Sequence, residues 1–593
     1  MTYQAPVDDI LSALKSAAGL DALLASGVAE GMDEATIRAI LEEAGKLATD
    51  VLDPLNRVGD IEGSKLVGGS VVTPPGWKEA YAQFVAGGWP ALGCPSEHGG
   101  QGLPVSVAMG VTEIWNAANP AFAMGPLLTN GAIDSIHIGA SDELKSRYLP
   151  KMISGEWTGT MNLTEPQAGS DLNAVKCKAV READGAYRIF GTKIFISYGD
   201  HDLTENIIHL VLARLPDAPP GTRGISLFLV PKRLLNADGS PGAANDVHCA
   251  GLEHKIGIRA SPTAVMKFGE KDGAVGYLVG EENRGLQTMF IMMNAARLAV
   301  GVQGVAVAER ATQRAVAYAK DRRQGRGRDT KPGEMAPIIE HPDIRRTLLT
   351  MKALTAAARS ICLATAAATD ISHRAATEAA RAAAANRVAL LTPIAKAFAT
   401  DCSVEIASLG VQVHGGMGFI EETGAAQHLR DARILPIYEG TNGIQAIDLV
   451  TRKLPLGGGA VVRAFLQEMG ETVAAVEASN RPGLGRTGER LQATHAALVA
   501  ASRWMGAALA KDPEAALAGA TSYLKLFALA AGGHYLAKAA LGDGAGVGEV
   551  DSGAGTLARF FAEQISVAGP GLAAAIMEGG DAATGKAVDK LFG

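Results

Sequence analysis

Four short segments carry residue types that could do chemistry. Glu439 sits in Leu435-Pro-Ile-Tyr-Glu-Gly-Thr441, flanked by Tyr438 and Gly440. A carboxylate among apolar neighbours is poorly hydrated, holds its proton more tightly and suits general-base work near neutral pH. The spacing is equally compatible with an acid placed just before a helix, favoured by the macrodipole. Thr441 or Asn442 would then cap a helix beginning near Gly443. Upstream, Val411-Gln-Val-His-Gly-Gly-Met-Gly-Phe419 follows a helical stretch, and its paired glycines let backbone amides face an anion such as a pyrophosphate. Met161-Asn-Leu-Thr-Glu-Pro-Gln-Ala-Gly-Ser-Asp171 offers the hydroxyls of Thr164 and Ser170 beside Gly169, as ligand donors or simply as a turn entering a sheet. In Gly191-Thr-Lys-Ile-Phe-Ile-Ser-Tyr-Gly199, alternation puts Phe195 and Ser197 on one strand face, where a planar cofactor or a core edge would pack.

The surrounding pattern shows what would hold these segments. Up to about Met161 it is helical, broken at Pro74-Pro75, Pro90 and the Gly-rich run Pro95–Gly102, and apolar residues of Ala35–Leu52 recur three and four apart. From about Leu163 to Gly280 short β-type runs take over, among them Ile207–Leu212 and Ile225–Val230. Helical texture returns at Leu286 and holds to about Lys453; within it Thr392-Pro393 reads as an N-cap and first helical residue. Leu456-Gly-Gly-Gly459 marks a boundary before an Ala-rich helical region. The order is helices, sheet, helices, helices.

Composition excludes several classes. With 55 basic and 62 acidic residues in 593, the net charge of −7 argues against a nucleic-acid or anionic-membrane binder. Five cysteines with no CxxC pair disfavour a disulfide scaffold and a zinc ribbon, and no metal is expected. The N-terminus lacks the features of a secretory or organelle leader, and the uncharged stretch Ile114–Ile133 is interrupted by Asn116, Asn119, Pro120, Pro126 and Asn130. A soluble, cytoplasmic protein is expected.

Together, Thr164-Glu-Pro-x-Ala-Gly-Ser-Asp171, Lys193-Ile-Phe-Ile-Ser197, Gln412-x-x-Gly-Gly-x-Gly418 and Ile437-Tyr-Glu-Gly-Thr441 resemble the acyl-CoA dehydrogenase family in order and spacing, over roughly Ala35 to Lys453. The length, Thr441-Asn-Gly-Ile-Gln445 and the added C-terminal region are similar to its long branch, which includes the 3-methylmercaptopropionyl-CoA dehydrogenases. The resemblance implies a mainly α fold with a central β-barrel domain: an N-terminal helical domain over 1–160, the barrel over 161–282, a helical bundle over 283–455 and an extra helical domain over 456–593. FAD would lie between barrel and bundle.

Residue by residue, the resemblance makes Glu439 the catalytic base. Met161, Leu163, Thr164, Ser170, Phe195 and Ser197 match contacts to the flavin side, and Thr441 and Gly443 approach the cofactor after the base. Arg322 and Gln324, with Gln412, Gly415 and Gly416, match places where a neighbouring subunit completes FAD binding, implying a homodimer. Ser170, Arg297 and Gly440 match places along the acyl-CoA. Four residues depart from the family pattern: Phe195 stands for a frequent Trp, Gly443 for a glutamine, Gln167 for a glycine and Asn294 for an acid. Some members carry the base on the helix that holds the position of Arg297, but Leu286–Ala308 contains no Asp or Glu here. The implied reaction is α,β-dehydrogenation of an acyl-CoA, with 3-(methylthio)propanoyl-CoA a candidate substrate and an electron-transfer flavoprotein the acceptor. An oxidase using oxygen, and a non-catalytic DNA-associated flavoprotein, are the alternatives. Thr451–Gly593, with 13 basic and 13 acidic residues, gives the latter no charge support.

Overall fold

The computed structural model describes residues 2–328, 330–542 and 553–592 of the chain. Its strands are β1 (Lys65–Val67), β2 (Ser70–Val72), β3 (Trp157–Asn162), β4 (Lys178–Arg181), β5 (Tyr187–Ser197), β6 (Asn206–Arg214), β7 (Ile225–Pro231), β8 (Arg233–Leu235), β9 (Pro241–Ala244), β10 (Val247–Leu252), β11 (Thr263–Phe268) and β12 (Ala274–Val279). Because β4 pairs with both β5 and β6, the path β5–β12–β7–β6–β4 returns to β5 and closes a barrel. β11 and β10 extend outward from β5, and β3 runs parallel to β6.

The unbroken apolar runs in β6 and β7 follow from this closure. Val211, Ala213, Phe228 and Val230 fill the barrel interior, while Ile208, Leu210, Leu212, Leu227 and Leu229 join the core shared with the N-terminal helices. Strands covered on both faces need no polar alternation. The barrel's helical side begins with β3 at Trp157, four residues before the expected boundary at 161. The hairpin β1–β2 was not anticipated within the helical N-terminal region. Its three-residue strands are too short to show a period, and only Gly68 and Gly69, both with positive φ, mark the turn.

Three long helices, Gly285–Asp321, Pro342–Arg374 and Glu378–His414, make the bundle. The Thr392-Pro393 reading needs correction: the Glu378 helix runs straight through both residues. Pro393 lacks the N–H that would bond one turn back. Thr392 Oγ1 donates to the Val388 carbonyl at 2.7 Å, and burial of both residues against the neighbouring helices holds the segment helical. Barrel and bundle meet at Gly285, where a Cβ would stand 2.1 Å from Leu227 N; only a glycine lets the helix start that close to β7.

After the positive-φ glycines 457–459, the helices Ala460–Ala478, Thr487–Lys511 and Ala520–Gly542 pack onto the bundle, and Phe465, Leu498 and Tyr523 belong to the same core as Ala357 and Ile361. Ile114–Ile133 forms parts of two helices, Val105–Ala118 and Pro120–Gly139, with Asn119 capping the second through Phe122 N. By length and composition alone, Gly285–Asp321, Pro342–Arg374 and Gly553–Glu578 are apolar enough to cross a membrane; the windows in the first two are 72% and 78% buried in the bundle. All five cysteines are free and buried.

Candidate active site

Glu439 lies in a turn between the helices Ala425–Ala432 and Asn442–Asp448. Thr441, of the two caps considered, closes the second helix by accepting from Ile444 N at 3.3 Å, so that helix starts one residue earlier than expected. Glu439 itself has φ 55 and Gly440 φ 88. Two successive residues with positive φ are costly for anything but glycine at the first and require glycine at the second, where a Cβ would lie 2.7 Å from Gln445 Nε2. This turn stands just before the Asn442 helix, so an acid at a helix start and a general base both fit the backbone, and the surroundings of the side chain carry the distinction.

The electrostatics of the turn are unusual for a buried acid. Glu439 Oε2 is buried and has no hydrogen-bond partner among the described residues, and the same holds for Arg297 Nε. Burial pushes the Glu439 carboxyl up to about 7, against the opposing pull of the Arg297 and Lys396 charges. Burial also lowers Arg297, which is 7% exposed. The backbone N–H groups of Glu439, Gly440 and Thr441 reach no acceptor among the described residues. A proton acceptor and free backbone donors are therefore presented side by side.

The second group forms where β3 passes the end of β5. Ile194 N donates to the Thr164 carbonyl at 2.9 Å, and Thr160 Oγ1 to the Ser197 carbonyl at 2.7 Å. A β-bulge opposite Ala264/Met266 puts Phe195 at φ 58 and turns its ring outward, 58% exposed, while Lys193 two residues earlier is wholly buried. Phe195 is exposed and Ser197 half-buried, and because Lys193 on the same alternation is wholly buried, the bulge and not a regular alternation supplies the exposure of Phe195. Beneath them Lys193 Nζ pairs with Glu165 at 2.8 Å and donates to the Leu163 carbonyl at 3.0 Å. Glu165 also accepts from Gln167 Nε2, Lys176 N and Cys177 N, so the Leu163–Thr164 edge is fixed from behind. Gln167 thus has a structural partner at the position where the sequence departs from the family pattern.

Met161, Leu163 and Tyr438 all pack against the large core that the N-terminal helices share with the barrel. Thr441 is half-buried and Gly443 exposed just beyond it, while Ser170 is exposed in the loop after Glu165. Arg322 and Gln324 stand elsewhere, exposed on the loop after the Gly285 helix, where Gln324 N donates to the Ala336 carbonyl. Gln412, Gly415 and Gly416 are exposed at the end of the Glu378 helix, and nothing lies within 4 Å of where a Cβ would be on either glycine. Among the described residues no hydrogen bond links these five to Glu439, Phe195 or Ser197.

Sequence reasoning did not mark Lys396 or Gln303, and it marked Asn442 only as a possible helix cap and Gln445 only as the end of the Thr441–Gln445 motif. Gln303 Oε1 accepts from the Tyr438 hydroxyl at 2.5 Å, and Gln445 Nε2 reaches the Glu439 and Gly440 carbonyls at 3.4 Å. A lone lysine in the apolar run Leu390–Ala399 was the available signal for Lys396. One group of metal-ligand types also comes together among the described residues, Glu97, His98 and His137 on the N-terminal helices.

Comparison with known proteins agrees with this architecture. Family models described as acyl-CoA dehydrogenase N-terminal, middle and C-terminal domains match residues 36–156, 160–270 and 283–454, and one described as acetyl-CoA dehydrogenase C-terminal like matches 465–585. The chain is 50% identical over 571 residues to a 3-methylmercaptopropionyl-CoA dehydrogenase of Ruegeria pomeroyi, covering 96% of this chain and 95% of that one. It is 40% identical over 454 residues to a butyryl-CoA dehydrogenase of Syntrophomonas wolfei, covering 75% and 74%. The crystal structure of an acyl-CoA dehydrogenase complexed with FAD from Bacillus anthracis superposes with a TM-score of 0.74 at 21% identity, over 95% of this chain and 91% of that one, a likeness of fold.

Proposed function

The chain belongs to the acyl-CoA dehydrogenase family, and from that premise we propose that it oxidises the Cα–Cβ bond of a short acyl-CoA at Glu439. It is an FAD-dependent enzyme. The observation that carries the assignment is the half-buried Glu439 carboxylate on a strained turn, its Oε2 buried and unpartnered among the described residues.

The residues present fit the cofactor. The outward Phe195 ring, the braced Leu163–Thr164 edge and Ser197 form a surface for a planar ring, and the open glycines 415 and 416 admit a phosphate close to backbone. By the family resemblance, Met161 and Ser170 would flank that surface, and Thr441 and Gly443 would approach the cofactor after the base. When bound, FAD supplies the acceptor for the β-hydride. Everything else falls to the chain. Glu439, held near neutrality by burial, takes the α-proton; its own free N–H is placed to donate to the thioester oxygen as negative charge develops there. Arg297 and Gly440 border the substrate on the other side, and Ser170 reaches its thioester end.

Near-full-length identity to the Ruegeria pomeroyi protein supports 3-(methylthio)propanoyl-CoA as substrate. We further propose that an electron-transfer flavoprotein takes the electrons, and that a homodimer is the active unit. Arg322, Gln324, Gln412, Gly415 and Gly416 lie apart from Glu439 in one chain and would complete a second copy's FAD site. The family and the mild acidic charge fit a cytoplasmic, DNA-free role. Anaerobic flavin bleaching with a panel of acyl-CoAs is the test. Fastest reduction by the methylthio thioester is expected; preference for a long straight chain would overturn the substrate, and hydrogen peroxide at the turnover rate in air would overturn the acceptor.

A further inference from the structure

The Glu439–Gly440 turn is held by a cation that no anion directly neutralises. Lys396 in the Glu378 helix is 0% exposed, and its Nζ donates to the Gly440 carbonyl at 2.8 Å and to Asn442 Oδ1 at 2.9 Å. Asn442 Nδ2 is tied in turn to Asp401 Oδ1 at 2.7 Å, Thr400 Oγ1 at 3.0 Å and the Ala397 carbonyl at 3.1 Å. Lys396 itself has only neutral oxygens as hydrogen-bond partners among the described residues. Buried ammonium groups are expensive unless paired with a carboxylate, so this arrangement calls for a reason beyond packing.

The charges around the turn supply one. Glu439 is faced by Arg297 from the Gly285 helix and Lys396 from the Glu378 helix, with the Tyr438 phenol beside it. Lys396 is faced by Glu439, by Asp401 one turn along its own helix and by Arg297. Burial pushes the ammonium down to about 7 and the carboxyl up to about 7, even with their opposite charges pulling the other way, so each group ionises more readily when the other is charged. Ionising Glu439 over an ammonium creates opposite charges in a low-dielectric site; ionising it over a neutral amine does not. The positive φ of Glu439 also needs holding from outside, because it cannot relax to an ordinary conformation without moving the Gly440 carbonyl that Lys396 grips.

We propose that Lys396 is a positioning residue for the reaction: its Nζ fixes the Glu439–Gly440 turn through the Gly440 carbonyl and sets a cation beside the Glu439 carboxylate. The proposal rests on Glu439 being the base. A lysine that merely fills its slot would affect stability and leave the pH dependence of the chemical step unchanged.

The test uses full-length, FAD-loaded Lys396→Met and Lys396→Gln, with anaerobic single-turnover bleaching by 3-(methylthio)propanoyl-CoA or butanoyl-CoA followed from about pH 6 to about pH 9. In the unmodified enzyme the rate should rise with pH as Glu439 ionises, because the base is active only when ionised. In both variants the midpoint should move up by at least about one unit. The rate at neutral pH should then fall about fivefold or more and recover toward the alkaline end. A loss equal at every pH, an unchanged profile, or loss of FAD from both variants would overturn the proposal. Glu439→Gln run alongside separates the two readings. If it bleaches normally, the base assignment falls and this proposal with it; if it is inert while the Lys396 variants keep the unmodified profile, only the role of Lys396 falls.

Discussion

Two buried clusters in this protein use the same residue types to opposite ends. In the bundle, Arg359 lies between Glu113 and Glu309, with contacts of 2.6 Å and 2.9 Å, and all three are buried. Burial opposes the Arg359 charge, yet the two carboxylates hold it well above the ordinary arginine range. At the Glu439 turn, Arg297 and Lys396 face one carboxylate without an ion pair among the described residues, and Oε2 is left bare. The first cluster is saturated and locks three helices together. The second leaves its carboxylate without a hydrogen-bond partner and its proton affinity near neutrality. Function here is marked by what a buried charge lacks, because a fully satisfied carboxylate could neither take a proton nor turn toward a substrate.

Glu439→Gln should separate the clusters most sharply. The amide keeps the shape but cannot take a proton, so FAD binding should persist while anaerobic flavin bleaching falls by ~10²–10⁴-fold or more. Near-normal bleaching in the folded, FAD-bound variant would return Glu439 to the status of a helix-start acid, for which substitution costs only about 0.3–1 kcal/mol of stability.

Arg359→Met is the mirror experiment. It strands two carboxylates in the core and should destabilise the fold by about 3–5 kcal/mol in denaturant titration, with flavin reduction per folded molecule unchanged. A fall in the reduction step itself would mean that the saturated cluster is coupled to the chemistry after all.

Gly440→Ala comes next. An alanine is strained at its φ of 88, and a Cβ 2.7 Å from Gln445 Nε2 makes either that side chain or the turn give way. The strain of about 1–2 kcal/mol should appear as a roughly tenfold slower reduction with little change in melting temperature. A change confined to stability would show that the turn's shape matters to folding alone.

Arg297→Met should show the smallest effect on the fold, less than about 1 kcal/mol, because no carboxylate depends on it for an ion pair. Reduction at neutral pH should still fall, since the lost cation raises Glu439 further above neutrality. Destabilisation equal to that of Arg359→Met would erase the distinction between the clusters.

Much of this molecule could be read from its residues. The apolar runs of β6 and β7, the helical texture on either side and the four motifs located the barrel, the bundle and Glu439 without coordinates, because each is a local pattern with a period or a fixed spacing. The family resemblance likewise needed only those motifs. What the sequence alone could not decide were features set by distant neighbours. Thr392-Pro393 looked like a helix start, but packing along the Glu378 helix outweighs one missing hydrogen bond. Phe195 is exposed because a bulge pairs β5 against β11, a partner some 70 residues away. Lys396 stands 43 positions before Glu439 and meets its turn only when the Glu378 helix and the segment after Ala432 fold back on each other. Burial is a sum over such non-local contacts, so Glu439 could be named from sequence while its proton affinity, its bare oxygen and the cation beneath it came only with the fold.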